Sequence, residues 1–362
     1  MNKELLFQLY GIFSPSGSEK KMRKFIKRYV SNLNCKVVQD SLGNLFITKG
    51  VSDTYPCLAA HLDQVQRNHS KDFEVIEGKD VCFGYSHKSR AQQGLGADDK
   101  NGIFICLECL RKYDILKVAF FVGEETGCVG SSDCDLSFFS DCRYIVQPDR
   151  MNGHDLITSM FCGSVCSDDF VKAIGAASYG YKTARGSITD VGTLVERGVG
   201  ISCLNVSCGY YDAHTDREFT VLSELQNCLD FVCHIVETLT DVYPYEYKDW
   251  WDDISYGRYS WVKPTKDGLA NNGVSDVDYY DYGYYNDDFD MMDMLLQQHP
   301  TLTFEDIVEP GGWLCNFFTR DLKALREIYD DAVALRSEEY WHGEYEDDDV
   351  PLADVLNIKK AS

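Results

Sequence analysis

The sequence predicts an α/β protein, a three-layer sandwich around a central mixed, mostly parallel sheet, with a mainly helical extension behind it. Three observations carry this. Short β-type runs alternate with apolar-faced helices as far as residue 240. His61, the pair Glu124 and Glu125, and Asp149 each stand at or just past the end of such a run, so the strands would deliver polar groups to one carboxyl-side rim. Beyond Val242 the composition turns to Tyr, Asp and Trp, which marks a second region over 241–362.

Two helices open the chain, parted by a turn at 14–18. In the second, Met22, Phe25, Ile26, Tyr29, Val30 and Leu33 recur at helical spacing, while Lys20, Lys21, Lys24, Lys27 and Arg28 cover a solvated face. Ser18 is the expected N-cap. Strands are expected over 36–39, 44–48 and 56–61, the last ending on His61. An apolar helix over 101–112 is followed by a buried strand over 116–122 and another over 143–147, which stops two residues short of Asp149. A long helix over 222–239 closes this part. In the C-terminal region, 276–290 is rich in Tyr, Asp and Gly, and 287–298 and 314–336 have helical patterning. Leu314, Phe317, Phe318, Leu322, Leu325, Ile328, Tyr329, Val333 and Leu335 make a wide apolar stripe. All five tryptophans lie here, at 250, 251, 261, 313 and 341, and groups this large need burial. A folded, largely helical extension docked on the first domain is therefore expected, with 344–349 exposed.

A chain of 362 residues can bury one large core or two modest ones. Its net charge of −23 argues against nucleic acid or an anionic membrane as partner. Residues 241–362 hold 10 Lys/Arg and 28 Asp/Glu, a balance of −18, which leaves −5 for residues 1–240. The 15 cysteines are odd in number and fall mostly in apolar runs, as expected of small buried hydrophobes in a reducing compartment. No run approaches the roughly 20 apolar residues of a membrane span, and the N-terminus lacks a signal-peptide pattern. These features predict a cytoplasmic protein.

Five potential metal ligands follow one another as His61, Asp98, Glu125, Asp149 and His214, in the contexts AAHLDQV, GLGADDKNG, VGEETGCVG, VQPDR and YYDAHTDREF. Two imidazoles and three carboxylates suit a pair of zinc-like ions with Asp98 shared. Glu124, beside Glu125, is a carboxylate left over to serve as general base. Alone, each context reads as solvated surface or a satisfied buried histidine; the ordered set does not. Asp99 and Lys100 read as supports of the Asp98 loop. His69, His87, His154, His234, His299 and His342 lack such contexts.

These motifs resemble those of the co-catalytic metallopeptidases, the group of di-zinc aminopeptidases, bacterial tripeptidases, dipeptidases, glutamyl aminopeptidases and acetylornithine-type deacylases. His61-Leu62-Asp63, Gly96 to Lys100, Glu124-Glu125, Asp149 and His214 carry the likeness, supported by residues 14–19 and 40–47; it spans about residues 1–240. The resemblance implies two divalent ions, zinc first with cobalt or manganese as alternatives. One would sit between His61 and Asp149 and the other between His214 and Glu125, both sharing Asp98. It implies Asp63 as the partner orienting His61, Glu124 as proton carrier, and a cis peptide between Asp98 and Asp99. The 37 positions from His61 to Asp98 and the 65 from Asp149 to His214 leave no room for an inserted lid domain, so residues 1–240 are expected to be a single catalytic domain. The implied activity is that of an exopeptidase, most simply an aminopeptidase on short peptides. A deacylase of N-acyl amino acids and a non-catalytic scaffold using the acidic region are the competing readings. Arg150 and Arg185 are candidates for meeting a substrate carboxylate, against the ordinary reading of surface or structural arginines. The segment 187–192 resembles a loop near the active site. Side-chain preference and oligomeric state are left open by the sequence.

Overall fold

The computed structural model describes residues 1–160 and 163–247, then residues 292, 296, 303, 304, 307 and 322–336. The chain divides into compact units over Met1–Lys248 and Asp249–Asp349. The first contains helices α1 (Lys3–Tyr10), α2 (Lys20–Val30), α3 (Ala97–Lys112), α4 (Val129–Asp133), α5 (Asp168–Ala173), α6 (Asp190–Glu196) and α7 (Leu222–Thr238). Its strands are β1 (Cys35–Gln39), β2 (Leu45–Lys49), β3 (Tyr55–His61), β4 (Phe73–Glu77), β5 (Val81–Ser86), β6 (Ala91–Gln93), β7 (Leu116–Phe121), β8 (Cys142–Arg150), β9 (Asp155–Met160), β10 (Gly163–Ser164), β11 (Lys182–Arg185), β12 (Cys203–Ser207), β13 (Tyr210–Tyr211) and β14 (Phe219–Val221).

Nine strands form one mixed sheet in the order β1-β2-β7-β3-β8-β12-β9-β10, with β11 beside β9. Its centre, β7-β3-β8-β12, is parallel. Antiparallel pairs lie on both sides, with β11 parallel to β9 at one flank. The apolar runs of the central strands follow from burial on both faces. Leu58 and Ala60 of β3, Val118 and Phe120 of β7, and Tyr144 and Val146 of β8 pack with α1, α2, α3 and α7. Their neighbours Cys57, Ala59, Ala119, Phe121 and Ile145 point to the opposite face, against Phe139 and Val191 and Leu194 of α6. A wholly buried side chain the size of Phe120 or Phe121 contributes about 2–3 kcal/mol, so the two layers of alternating residues fix the register of the sheet.

The basic face of α2 is exposed and Met22, Ile26 and Val30 are buried, as its spacing requires. Ser18 does not cap it. Glu19 holds the N-cap position, and its carboxylate accepts the Gly17 N–H instead of an amide of the first turn. The helix expected over 101–112 starts at Ala97, with a first turn that departs from helical angles at Asp98 and Asp99. The strand expected to stop at 147 runs on to Arg150, so Asp149 is a strand residue. Pro148 is tolerated because pairing with β3 has already ended at Val146, while β12 continues alongside.

A second sheet, β13-β14-β5-β4 with β6 beside β5, was not foreseen. Its strands have two to six residues and few are continuously apolar, so no regular pattern marked them in the sequence. The thirteen described cysteines are free and twelve are buried. Among the described residues, no helix is long and apolar enough to cross a membrane.

In the second unit, α8 (Leu322–Arg336) lies within the helical patterning of 314–336. Leu325 and Ile328 are buried, but Val333, counted in the apolar stripe, is exposed. The Arg326 guanidinium lies 3.9 Å above the Phe304 ring. The five tryptophans and 344–349 lie outside the described residues, as does most of 287–298.

Candidate metal centre

His61 ends the wholly buried strand β3. Its Nδ1 lies 3.1 Å from the Asp63 carbonyl oxygen, and a hydrogen bond there leaves Nε2 as the ligand atom. Nε2 lies 2.9 Å from Asp98 Oδ1 and 3.3 Å from Asp149 Oδ1. Asp98 is brought across by a sharp turn. Gly96 has φ +63, and the Asp98–Asp99 peptide is cis, as the resemblance implied. Asp99 accepts the amides of His61 (3.1 Å) and Gly102 (2.9 Å), and the Lys100 ammonium donates to the Leu95 carbonyl (2.7 Å). Both therefore support the loop.

The other Asp98 oxygen, Oδ2, lies 3.2 Å from His214 Nε2, which is 3.1 Å from Glu125 Oε2. Glu124 and Glu125 occupy a single 3₁₀ turn just beyond β7, where the left-handed Gly123 redirects the chain. Asp63 orders this turn. Its Oδ1 accepts the Glu124 amide (3.1 Å), and its Oδ2 accepts the Glu125 amide (3.3 Å) and the Ser16 hydroxyl (2.8 Å). The sequence reading gave Asp63 to His61 alone. The Asp63 carboxylate does lie 3.4 Å from His61 Nδ1, and it also accepts the Ser16 hydroxyl and both glutamate amides.

The donors thus form two sets, His61 with Asp98 and Asp149, and His214 with Asp98 and Glu125, each with its atoms within 4.8 Å. The carboxylate Asp98 gives one oxygen to each. Glu125 Oε1 is a buried oxygen without a hydrogen-bond partner, which a cation would satisfy. Nitrogen and oxygen donors in this arrangement fit two divalent ions of the zinc type. Burial works against a charged His61 imidazole, yet the carboxylates of Asp149, Asp63 and Asp98 hold its pKa well above the usual range. Burial pushes the Glu124 carboxyl well up, with His61 pulling it down and Asp149, Glu125 and Asp190 adding to the rise.

Two residues at the site, Gln147 and Glu218, were not singled out, and a third, Asp190, only as part of the segment 187–192. Gln147 donates to Asp149 Oδ2 (2.9 Å), and its carbonyl accepts from the Val191 amide (3.1 Å) and the Thr189 hydroxyl (3.4 Å). Asp190, wholly buried, accepts the Ser131 hydroxyl (2.6 Å) and lies 3.4 Å from Gln147 Nε2. Burial pushes its carboxyl up to about 7. The segment 187–192 thus acts on the site through Gln147. Glu218 accepts the amides of Gly96 (2.6 Å) and Asp98 (3.1 Å). Arg150 pairs with Asp155 and Arg185 donates to the Met160 carbonyl, which are structural contacts. His69 stacks between Phe13 and Phe73, and His87 pairs with Glu74.

No family model and no curated protein sequence matches the chain. Solved structures do. Aminopeptidase PepT of Bacillus cereus superposes with a TM-score of 0.55 at 14% identity, over 66% of this chain and 99% of that one. A tripeptidase of Staphylococcus aureus gives 0.53 at 16% identity, over 65% and 96%. A TET aminopeptidase from a marine sediment archaeon of the Thaumarchaeota gives 0.53 at 15%, over 66% and 97%. Identity this low speaks for the fold alone, which this chain shares with these aminopeptidase and tripeptidase structures.

Proposed function

We propose that the protein is a metal-dependent exopeptidase, an aminopeptidase of short peptides, in which Glu124 moves the proton. What supports this is one geometric fact: two histidine–carboxylate sets share Asp98, with Glu124 fixed beside them by the amide contact to Asp63. Two divalent ions held by His61, Asp98, Asp149 and by His214, Asp98, Glu125 would supply Lewis acidity toward a scissile carbonyl and a water. The chain's own groups account for the proton. Glu124, its pKa raised by burial, takes a proton from water as the C–O bond forms, and returns it to the departing amine nitrogen as the C–N bond breaks. Asp63, fixed by Ser16, keeps the glutamate turn in place during both transfers. Aminopeptidases among the structures of the same fold agree with this reading.

Metal analysis combined with a peptide panel tests it. The expected result is two ions per chain, hydrolysis of tripeptides with a free N-terminus, and none of N-acetylated ones. Activity should be abolished by a chelator and restored by zinc, cobalt or manganese. Hydrolysis of N-acyl amino acids alone would replace the peptidase reading with that of a deacylase. Metal uptake without turnover of either class would leave a binding scaffold.

A further inference from the structure

The two donor sets are held in different ways. His61 and Asp149 stand on the neighbouring parallel strands β3 and β8, paired through Leu58 and Val146, and the His61 side chain is 1% exposed. His214 stands on an exposed segment, with its side chain 54% exposed and left-handed φ values at both Asp212 and itself. Residues 214–217 are all exposed, and the residue that follows them, Glu218, is wholly buried. Its Oε2 accepts the Gly96 amide (2.6 Å) and Gln66 Nε2 (3.3 Å), and its Oε1 accepts the Asp98 amide (3.1 Å). Two looser ties run alongside, from Gln92 Nε2 to the Arg217 carbonyl (2.9 Å) and from the Gly94 amide to Asp216 Oδ1 (3.5 Å).

We propose that Glu218 is the positioning residue for the donor set of Asp98, Glu125 and His214: one buried carboxylate fastens the His214 segment to the turn that carries Asp98. This rests on the two-cation reading above. The first set does not depend on Glu218 in the same way, because strand pairing already fixes His61 against Asp149. Every polar neighbour of Glu218 just named is a donor, so both oxygens must accept. An amide has a single oxygen. In Glu218→Gln, shape and volume are kept, but the new NH₂ must face either the Asp98 amide or the Gly96 and Gln66 donors, and one half of the clamp is lost.

Zinc titration of the full-length chain against a chromophoric chelator, with hydrogen exchange of the metal-free chain beside it, tests this. For E218Q the second zinc should bind 10–100-fold more weakly and the first by a clearly smaller factor, since the two share Asp98. Amides over 94–100 and 212–218 should exchange faster, with those over 57–61 still protected. Glu218→Asp, which keeps two acceptor oxygens, should recover part of the second affinity. If E218Q does not fold, E218D is read in its place, with a smaller loss at the second ion expected. Equal weakening of both ions, or an unchanged second ion, overturns the proposal. A wild-type chain taking up fewer than two ions overturns the two-cation reading instead, and unchanged exchange in E218Q then separately overturns the positioning role.

Discussion

The carboxylate of Asp63 accepts the backbone amides of both Glu124 and Glu125, at 3.1 and 3.3 Å, and so ties the end of the first ligand strand to the turn that carries both glutamates. Adjacent residues on an extended strand face opposite ways. Here the chain turns at Gly123, and Asp63 holds the two side chains on one side of the site.

Asp63→Asn should separate this role from folding. The substitution places an NH₂ where an amide donor already points, so the turn loses one anchor. We expect turnover to fall about 10–100-fold, with the far-ultraviolet circular dichroism spectrum unchanged. Ser16→Ala removes only a hydroxyl donor to Asp63 and should cost about 1 kcal/mol in urea unfolding. Wild-type turnover in Asp63→Asn would show that the glutamates hold their places without it.

Glu124→Gln leaves Glu125 and the other donors intact. Two ions per chain should still be found by elemental analysis, while turnover drops roughly 10²–10⁴-fold, the usual worth of a positioned acid–base group. Loss of one ion in this variant would make Glu124 a ligand rather than the proton carrier.

The Asp98 turn depends on Gly96. A Cβ at that position would fall 2.8 Å from Gln64 Cδ and Nε2 and 2.9 Å from Lys100 Nζ, in a left-handed backbone. Both side chains are buried and hydrogen-bonded, Gln64 to Gln66 and Lys100 to Leu95, so neither can withdraw without breaking a contact. Gly96→Ala should destabilise by roughly 2–4 kcal/mol, combining the left-handed cost with lost hydrogen bonds. Gly17→Ala, also left-handed but with nothing within 4 Å of the added Cβ, should cost only roughly 1–2 kcal/mol. Equal urea midpoints for the two variants would refute this account of the Gly96 turn.

His69 should make stability depend on pH. Half-buried between Phe13 and Phe73, its imidazole is pushed down to about 4, by burial first and then by the Lys100 and Lys21 charges. The folded state therefore favours the neutral ring. Its contribution is complete above the ordinary value near 6.5, declines as pH falls from there, and levels off below about 4. Discounted for its solvent exposure, the loss is about 1–2 kcal/mol. His69→Gln should lose that much less stability than wild type between pH 7 and pH 4.5, as read from urea midpoints; parallel curves would contradict it.

Part of the centre was legible in the sequence because His61 and the two glutamates break an apolar pattern where a strand ends, whereas Asp98 and His214 stood out only through the ordered set. His61 follows a run of buried residues, and Glu124 and Glu125 follow Leu116–Phe121. The residues that hold the donors were not legible. Glu218 bonds to amides 120 and 122 positions away, and such contacts leave no local periodicity in a segment that otherwise reads as a polar loop. Gln147 looked like an ordinary strand residue until its partners at 189–191 were in place. The second sheet escaped notice for a related reason: its strands are short, and β14, which pairs with β5, lies far along the chain.

That separation orders events during synthesis. His61, Asp98, Glu125 and Asp149 have all been translated when 65 residues remain before His214. At 5–20 residues per second this interval lasts roughly 3–13 s. Throughout it, the ribosome-bound chain has all three members of one donor set and two of the other. Central strand β8 gains its neighbour β12 (Cys203–Ser207) only near the end of it, and β5 lacks β14 to the last. The last histidine and the strand that closes the small sheet then arrive within five residues of one another, His214 and Phe219. Completion of the second donor set and closure of that sheet thus fall together late in synthesis, and a nascent chain stalled before then presents only the buried set of His61, Asp98 and Asp149.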